Sequence, residues 1–376
     1  MAETLFWGSV FFIFYAYFGY PMCLLLLSVF RNRPVQKGDI TPSVSFIITA
    51  YNEEKQIREK IENTLAQSYP KENFEIIVAS DASDDGTDEI VRSYGRAGVR
   101  LLRASERGGK EAAQKFAVEA SSGEILVFSD VATILEPGGI ANIVKNFADP
   151  SVGCVSSEDR FINPDGKVSG EGTYVRYEMF IRNLESRVNT LVGLSGSFFA
   201  ARRAVCRSWA MDLQSDFNTL LNSVKTGLRG VSSPESIGYY RNIADERKEF
   251  ERKTRTIVRG ISVFMKSASM LNVFRYGLFS WQLFSHKLCR WLVPFAMILL
   301  GVSNGLLLSS PSYSIVFFLQ AVFYLTALTG LLGETFQGKT LVRITSFFVI
   351  VNVSILSAWV RYVRGERMLR WTPSQR

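Results

Sequence analysis

The amino-acid sequence predicts an α/β domain with a parallel sheet, framed by helices that cross a membrane or lie on it. Three observations carry this reading. Short apolar strands alternate with amphipathic helical segments from Pro42 to about residue 246. Long charge-free runs stand before and after that region. The charge is divided between the two kinds of segment. The 376 residues include 43 Lys+Arg and 35 Asp+Glu, a formal +8. Residues 40–246 carry 23 basic and 29 acidic side chains, residues 247–290 ten basic and two acidic, and residues 361–376 five Arg and one Glu. A basic folded domain would suggest a nucleic-acid binder. Here the positive charge sits beside apolar segments, where membrane lipids with anionic headgroups attract it, and no nucleic-acid partner is expected.

The first element is a run without charge from Thr4 to Phe30, longer than the roughly 20 residues that a helix needs to span a hydrocarbon core. It is preceded by Glu3 rather than a basic segment, so residues 1–30 read as an uncleaved anchor and not a signal peptide. Arg31, Arg33 and Lys37, in a linker at 31–41, place the following domain on the cytoplasmic face of the inner membrane. The four scattered cysteines, Cys23, Cys154, Cys206 and Cys289, suit that compartment and show no metal or disulfide spacing.

Within the domain at 42–246, Val44–Thr49, Phe74–Ala79, Val99–Arg103 and Glu124–Phe128 read as strands. Ile57, Ile61 and Leu65 share one face of the helix after the first. Ligands of such sheets bind outside the carboxyl ends of the strands. The polar strand ends are therefore the candidate site: Thr49–Glu54, Ser80–Thr87 and Ser129–Thr133. Each alone is also what a helix N-cap would contain. Residues 247–290 mix Lys/Arg with Ile, Val, Phe, Met and Trp and read as interfacial helices, apolar side toward lipid. Residues 291–360 hold further spans: a charge-free run from Trp291 to Gly333, divided by a turn at 309–314, and a run from Ile344 to Val360. Three spans after a cytoplasmic domain carry the tail at 361–376 outside, whereas its five Arg favour the inside.

The ordered segments AYNEE, SDASDDGT, GEILVFSDVAT, GLSGSFFAARR, QSDF and ERKTR resemble the family 2 glycosyltransferases. The likeness is greatest to the membrane-integrated branch related to cellulose and hyaluronan synthases. It implies a GT-A (Rossmann-like) nucleotide-sugar domain at 42–246. By position, it implies that Tyr51, Asn52 and Glu53 lie beside the nucleotide. Asp81 would accept from a base N–H, with Asp85 nearby, which favours a UDP-sugar. Lys110 would approach ribose or phosphate, and Arg252 and Arg255 would close on the diphosphate, although Thr256 stands where the family has Trp. Gly193, Ser195 and Gly196 would border the acceptor. Asp216 would be the catalytic base of an inverting transfer, although a residue in its position also suits a helix N-cap. Asp130 matches the first Asp of the family's metal motif, but Ala132 replaces the second ligand, so a Mg²⁺ or Mn²⁺ ion would rest on Asp130 alone. The only histidine, His286, is expected at the membrane interface.

Two functions are thus in view. One is transfer of a sugar to a lipid-linked or polysaccharide acceptor, with polysaccharide-assembly partners. The other is a degenerate, non-catalytic membrane subunit of such an assembly, suggested by Ala132 and Thr256.

Overall fold

The computed structural model describes residues 1–162, 173–241, 246–332 and 340–367. The strands are β1 (Val44–Ala50), β2 (Phe74–Ser80), β3 (Val99–Arg103), β4 (Ile125–Asp130), β5 (Ile134–Leu135), β6 (Val152–Ile162), β7 (Phe198–Arg202) and β8 (Arg229–Arg241). They form one sheet in the order β3-β2-β1-β4-β7-β6-β8-β5. β1, β2, β3 and β4 are mutually parallel, as the sequence predicts. The other half is mixed, because β7 runs antiparallel to both β4 and β6. Apolar periodicity marks a buried strand without giving its direction, so the antiparallel turn of β7 is new information.

Two helices, α1 (Ala2–Phe14) and α2 (Tyr20–Phe30), precede the sheet and are joined by a π-helical turn at Tyr15–Gly19. The domain adds α3 (Ile57–Leu65), α4 (Thr87–Ser93), α5 (Lys110–Ala120), α6 (Gly139–Val144), α7 (Thr173–Val188), α8 (Arg203–Cys206) and α9 (Ser215–Lys225). β1, β4 and most of β2 are buried on both faces, which accounts for their continuous apolar runs, whereas the edge strand β3 is only partly buried. Ile57 and Ile61 of α3 pack with Phe46, Ile48 and Val78 on one side. Ala113 and Ala117 of α5 pack with Ile47, Ile77 and Leu126 on the other, as the two-residue period of a strand requires.

After the domain come α10 (Glu246–Lys266), α11 (Val273–Tyr276), α12 (Leu278–Leu283), α13 (Arg290–Gly305), α14 (Pro311–Leu332) and α15 (Thr340–Val363). Four stretches among the described residues are long and apolar enough to cross a membrane: Ala2–Phe30, Leu278–Gly305, Pro311–Gly330 and Leu341–Val363. The second starts at Leu278, thirteen residues before the charge-free run that suggested it. It tolerates His286 and Arg290 because both are paired to carboxylates of α7.

The structure also corrects the reading of 247–290 as helices with their apolar side toward lipid. Val258, Ile261 and Phe264 of α10 are buried with Phe217, Leu221, Trp291 and Ile355. The apolar face of α10 thus joins the α/β domain to the long apolar helices. Only a few apolar side chains of this stretch, such as Met265, Val273 and Phe274, are exposed. Of the basic tail, residues 368–376 lie outside the described residues.

Candidate active site

Strand register brings the three polar ends together. Ala50 is the partner of Ser80 and Thr49 the partner of Asp130, so the segments that follow β1, β2 and β4 leave one edge of the sheet. Two residues there adopt positive φ without being glycine, Asn52 at 53° and Ala82 at 55°. Such backbone is costly outside glycine and is kept where surrounding bonds impose it. The bonds are present. Asp84 N–H donates to Asn52 Oδ1 at 3.0 Å and Asn52 Nδ2 donates back to Asp84. Glu53 N–H donates to Thr87 Oγ1 at 2.8 Å, and Glu54 N–H to Asp85 Oδ2 at 3.1 Å.

Asp85 also accepts from Thr87 N–H at 3.0 Å. Although burial works against ionisation, the bonds from Thr87 and Glu54 hold its carboxyl below the usual range. Asp85 therefore clamps the start of α4 to the loop after β1. Asp81 is closed to solvent and accepts from Gly108 N–H at 2.8 Å and Gly109 N–H at 2.9 Å. Burial pushes its pKa up, against the pull of those two bonds. Gly109 stands at φ 94°, a value that favours glycine. Tyr51 faces the same turn, with the Arg107 guanidinium 3.7 Å from its ring centre.

At the other end of that turn, Lys110 begins α5. Its ammonium donates to Asp130 Oδ1 at 2.5 Å and to Gly196 O at 3.0 Å. Asp216, in the first turn of α9, closes the group. A Cβ placed on Gly196 would stand 2.7 Å from Asp216 Oδ2. Asp216 is only 7% exposed and accepts from Phe217 N–H at 2.6 Å and Gln214 Nε2 at 3.1 Å. Burial raises its pKa, while the Lys110 and Arg259 charges oppose the rise. A buried carboxyl of raised basicity, seated against a glycine of the loop that also meets Lys110, suits proton abstraction.

The loop residues expected at the acceptor divide into two roles. Ser195 is buried and its hydroxyl donates to Asp159 at 2.7 Å, so it fixes the loop. Gly193 and Gly196 let the Lys287 and Asp216 side chains approach the loop closely. On α10, Arg252, Arg255 and Arg259 share one face by their spacing. Arg259 pairs with buried Glu111, the neighbour of Lys110. Burial, and then the charges of Arg259 and Arg252, push the Arg255 pKa down, a crowding that an anion would relieve.

Three participants are absent from the sequence expectations. Lys60 of α3 is fully buried and donates to Ser129 Oγ at 2.7 Å and Thr133 O at 2.5 Å, under the loop that carries Asp130. Burial lowers its pKa to about 7, with Asp130 opposing. Asp159 holds Ser195 and Ser197, and Glu111 anchors Arg259. No motif marks them; each is a charged residue in an ordinary amphipathic pattern.

For a divalent cation the metal motif offers Asp130, because Ala132 has no oxygen, and no group of three His, Cys, Asp or Glu that could hold a metal occurs among the described residues. That set fits a Mg²⁺-type ion only if the remaining ligands come from donor phosphates and water.

Gly196→Ala gives a test of the pocket's shape. The new methyl displaces the Asp216 carboxylate, and a shift on the order of 1 Å at a reacting group can cost about 100-fold. Turnover should fall by about that factor with a much smaller change in donor KM. Unchanged turnover would mean that the Asp216 position is immaterial.

Comparison with known proteins bears on the family and the fold. Residues 45–209 match the family model described as Glycosyl transferase family 2. The chain is 31% identical over 163 residues to Glycosyltransferase AglE of Haloferax volcanii, covering 40% of this chain and 52% of the relative. It is 24% identical over 237 residues to the poly-beta-1,6-N-acetyl-D-glucosamine synthase of Staphylococcus aureus, covering 60% of this chain and 54% of the relative. The chain thus spans about half the length of these curated relatives. Among solved structures, the mannosyltransferase PcManGT of Pyrobaculum calidifontis, in complex with GDP-Man and Mn²⁺, superposes with a TM-score of 0.74 at 20% identity. The match covers 97% of this chain and 100% of that one. The fold is the GT-A arrangement, accompanied by four stretches long and apolar enough to cross a membrane.

Proposed function

We infer, from the premise that residues 45–209 belong to glycosyl transferase family 2, that this protein is an inverting, membrane-bound sugar transferase. Its donor is a nucleoside-diphosphate sugar, and its acceptor is a lipid-linked sugar or a polysaccharide end. The observation that carries the reading is Asp216, a buried carboxylate pressed against Gly196 beside the Lys110–Asp130 pair.

In the proposed step the acceptor hydroxyl oxygen attacks the anomeric carbon while Asp216 takes its proton. The bond from that carbon to the diphosphate oxygen breaks, and the nucleoside diphosphate leaves with the electron pair. Lys110, Arg252 and Arg255 neutralise the charge that develops on the leaving oxygens. A divalent cation held by Asp130 would add to that neutralisation when bound. Tyr51, Asn52, Glu53 and Asp81 border the nucleotide. Asp81 retains oxygen lone pairs beyond its bonds to Gly108 and Gly109, enough to accept a base N–H, and this supports a UDP-linked donor. The basic linker supports a site on the cytoplasmic face.

The test is release of nucleoside diphosphate by the full chain in detergent, across UDP- and GDP-sugars, with Mg²⁺, Mn²⁺ or EDTA. Release is expected with UDP-sugars and added metal, and reduced by EDTA. No release with any donor, together with no nucleotide binding by calorimetry, would leave the non-catalytic subunit as the function.

A further inference from the structure

We propose that Lys287 and Arg182 form an anion subsite for the acceptor, so that the acceptor is a lipid-linked sugar recognised by its phosphate. This rests on the transferase reading above and names the substrate class of the same site.

Lys287 lies in the π-helical turn Phe284–Cys289, within the apolar stretch Leu278–Gly305. Its ammonium turns back to the catalytic domain. It is 3.4 Å from the position of a Cβ on Gly193, and 5.3 Å from the ring centre of Phe217, the residue after Asp216. Arg182 of α7 meets the same loop, donating to Gly193 O at 3.2 Å and to Ser156 Oγ at 3.3 Å.

Glu178 nearby is engaged through both oxygens and Glu185 through Oε1. Glu185 Oε1 accepts from Tyr20 OH at 2.5 Å and lies 2.6 Å from His286 Nδ1. Glu178 pairs with Arg290, and its second oxygen is 3.4 Å from His286 Nε2. Three carboxylates, Glu178, Glu185 and Asp159, thus lie near three permanent cations, Arg182, Lys287 and Arg290. Among the described residues, neither Lys287 nor Arg182 is ion-paired to any of these carboxylates within 4 Å.

A cation carried by an apolar span without a close ion pair is costly in a low-dielectric setting, and an arriving anion offsets that cost. Phosphate oxygens suit both groups, since guanidinium and ammonium each make charge-assisted bonds to them. Gly193 and Gly196 are three residues apart, a span of at most about 11 Å. One acceptor can therefore place its phosphate at Lys287 and a sugar hydroxyl at Asp216, with its lipid tail leaving beside the exposed Phe284. A hydroxyl acceptor also explains why the site keeps a base, which a phosphate nucleophile would not need.

The experiment measures binding of geranylgeranyl diphosphate, geranylgeranyl phosphate, geranylgeraniol and phosphatidylglycerol to the detergent-purified full chain by native mass spectrometry. Both prenyl phosphates should bind at least about tenfold more tightly than the alcohol and than phosphatidylglycerol. Lys287→Gln should weaken the phosphates by about tenfold, as expected for a lost charge-assisted bond, and Lys287→Arg should retain them.

Equal binding of alcohol and phosphates would overturn the proposal, as would indifference to Lys287→Gln. Equal affinity for phosphatidylglycerol, lost by the same factor in that variant, would overturn it too and make the cluster a bilayer-headgroup site. If Lys287→Gln does not fold, the ranking of the four probes on the unaltered chain decides. Donor release is measured on the same preparation. Its absence alone would sink the transferase reading, whereas intact release with a failed ranking would sink only the subsite.

Discussion

Asp216→Asn should lower sugar transfer by about 100- to 10,000-fold, the range that a positioned general base contributes, with donor affinity nearly unchanged. The amide keeps an oxygen to accept from Phe217 N–H, now at 2.6 Å, so the start of α9 and the pocket stay in place. What is lost is basicity. Stability should not fall with it. The folded-state pKa of Asp216 is raised by burial, with Lys110 and Arg259 only partly compensating. An acid of this kind disfavours folding once ionised. The cost is absent below the unfolded-state pKa and grows with pH until the folded-state pKa is passed. The amide removes the cost, so the melting temperature of Asp216→Asn at neutral pH should equal or exceed that of the unaltered chain. The rate should fall on the acid side with a limb above the ordinary Asp value. A wild-type rate in the variant would remove Asp216 from the reaction.

Lys110→Gln should cost about 100-fold or more in kcat/KM, comparable to removing one preorganised donor at a developing charge. Lys110 is 8% exposed and holds both Asp130 and Gly196 O. Its loss therefore affects leaving-group neutralisation and the acceptor loop together. It also carries a signature that simple damage would not produce. The Lys110 charge lowers the Asp216 pKa, so in the variant that pKa rises further. The acid limb of the residual activity should then move to higher pH. A limb that stays in place would show that the two residues do not share one site.

How much of this was legible beforehand follows from what each residue's neighbours disclose. The parallel half of the sheet was readable, because strands covered on both faces must be apolar throughout, as Phe46, Ile47 and Ile48 are. β6 and β8 were not, since runs such as SSED and SSPES interrupt them, and their partners lie far along the chain.

Asp81, Lys110, Asp130 and Asp216 were each marked by a family motif, and the fold assembles them around Lys110 and Gly196. Their individual tasks were less visible. Asp85, expected near the donor, also clamps the loop after β1 to the start of α4, a task its motif does not disclose. Lys60 looks like a solvated position of IREKIENTL and is fully buried beneath Asp130. Lys287 and Arg290 were counted with the charges that face headgroups. Their side chains turn inward instead, a direction that no charge total reports.

The most direct measurement is a time course of nucleoside-diphosphate release from a UDP-sugar, with the unaltered full chain and Asp216→Asn assayed side by side at matched donor occupancy. Steady release by the former, with loss of at least about 100-fold in the latter, is the predicted result. Equal rates from the two, or no release from either at saturating donor, would contradict a transferase that works through Asp216.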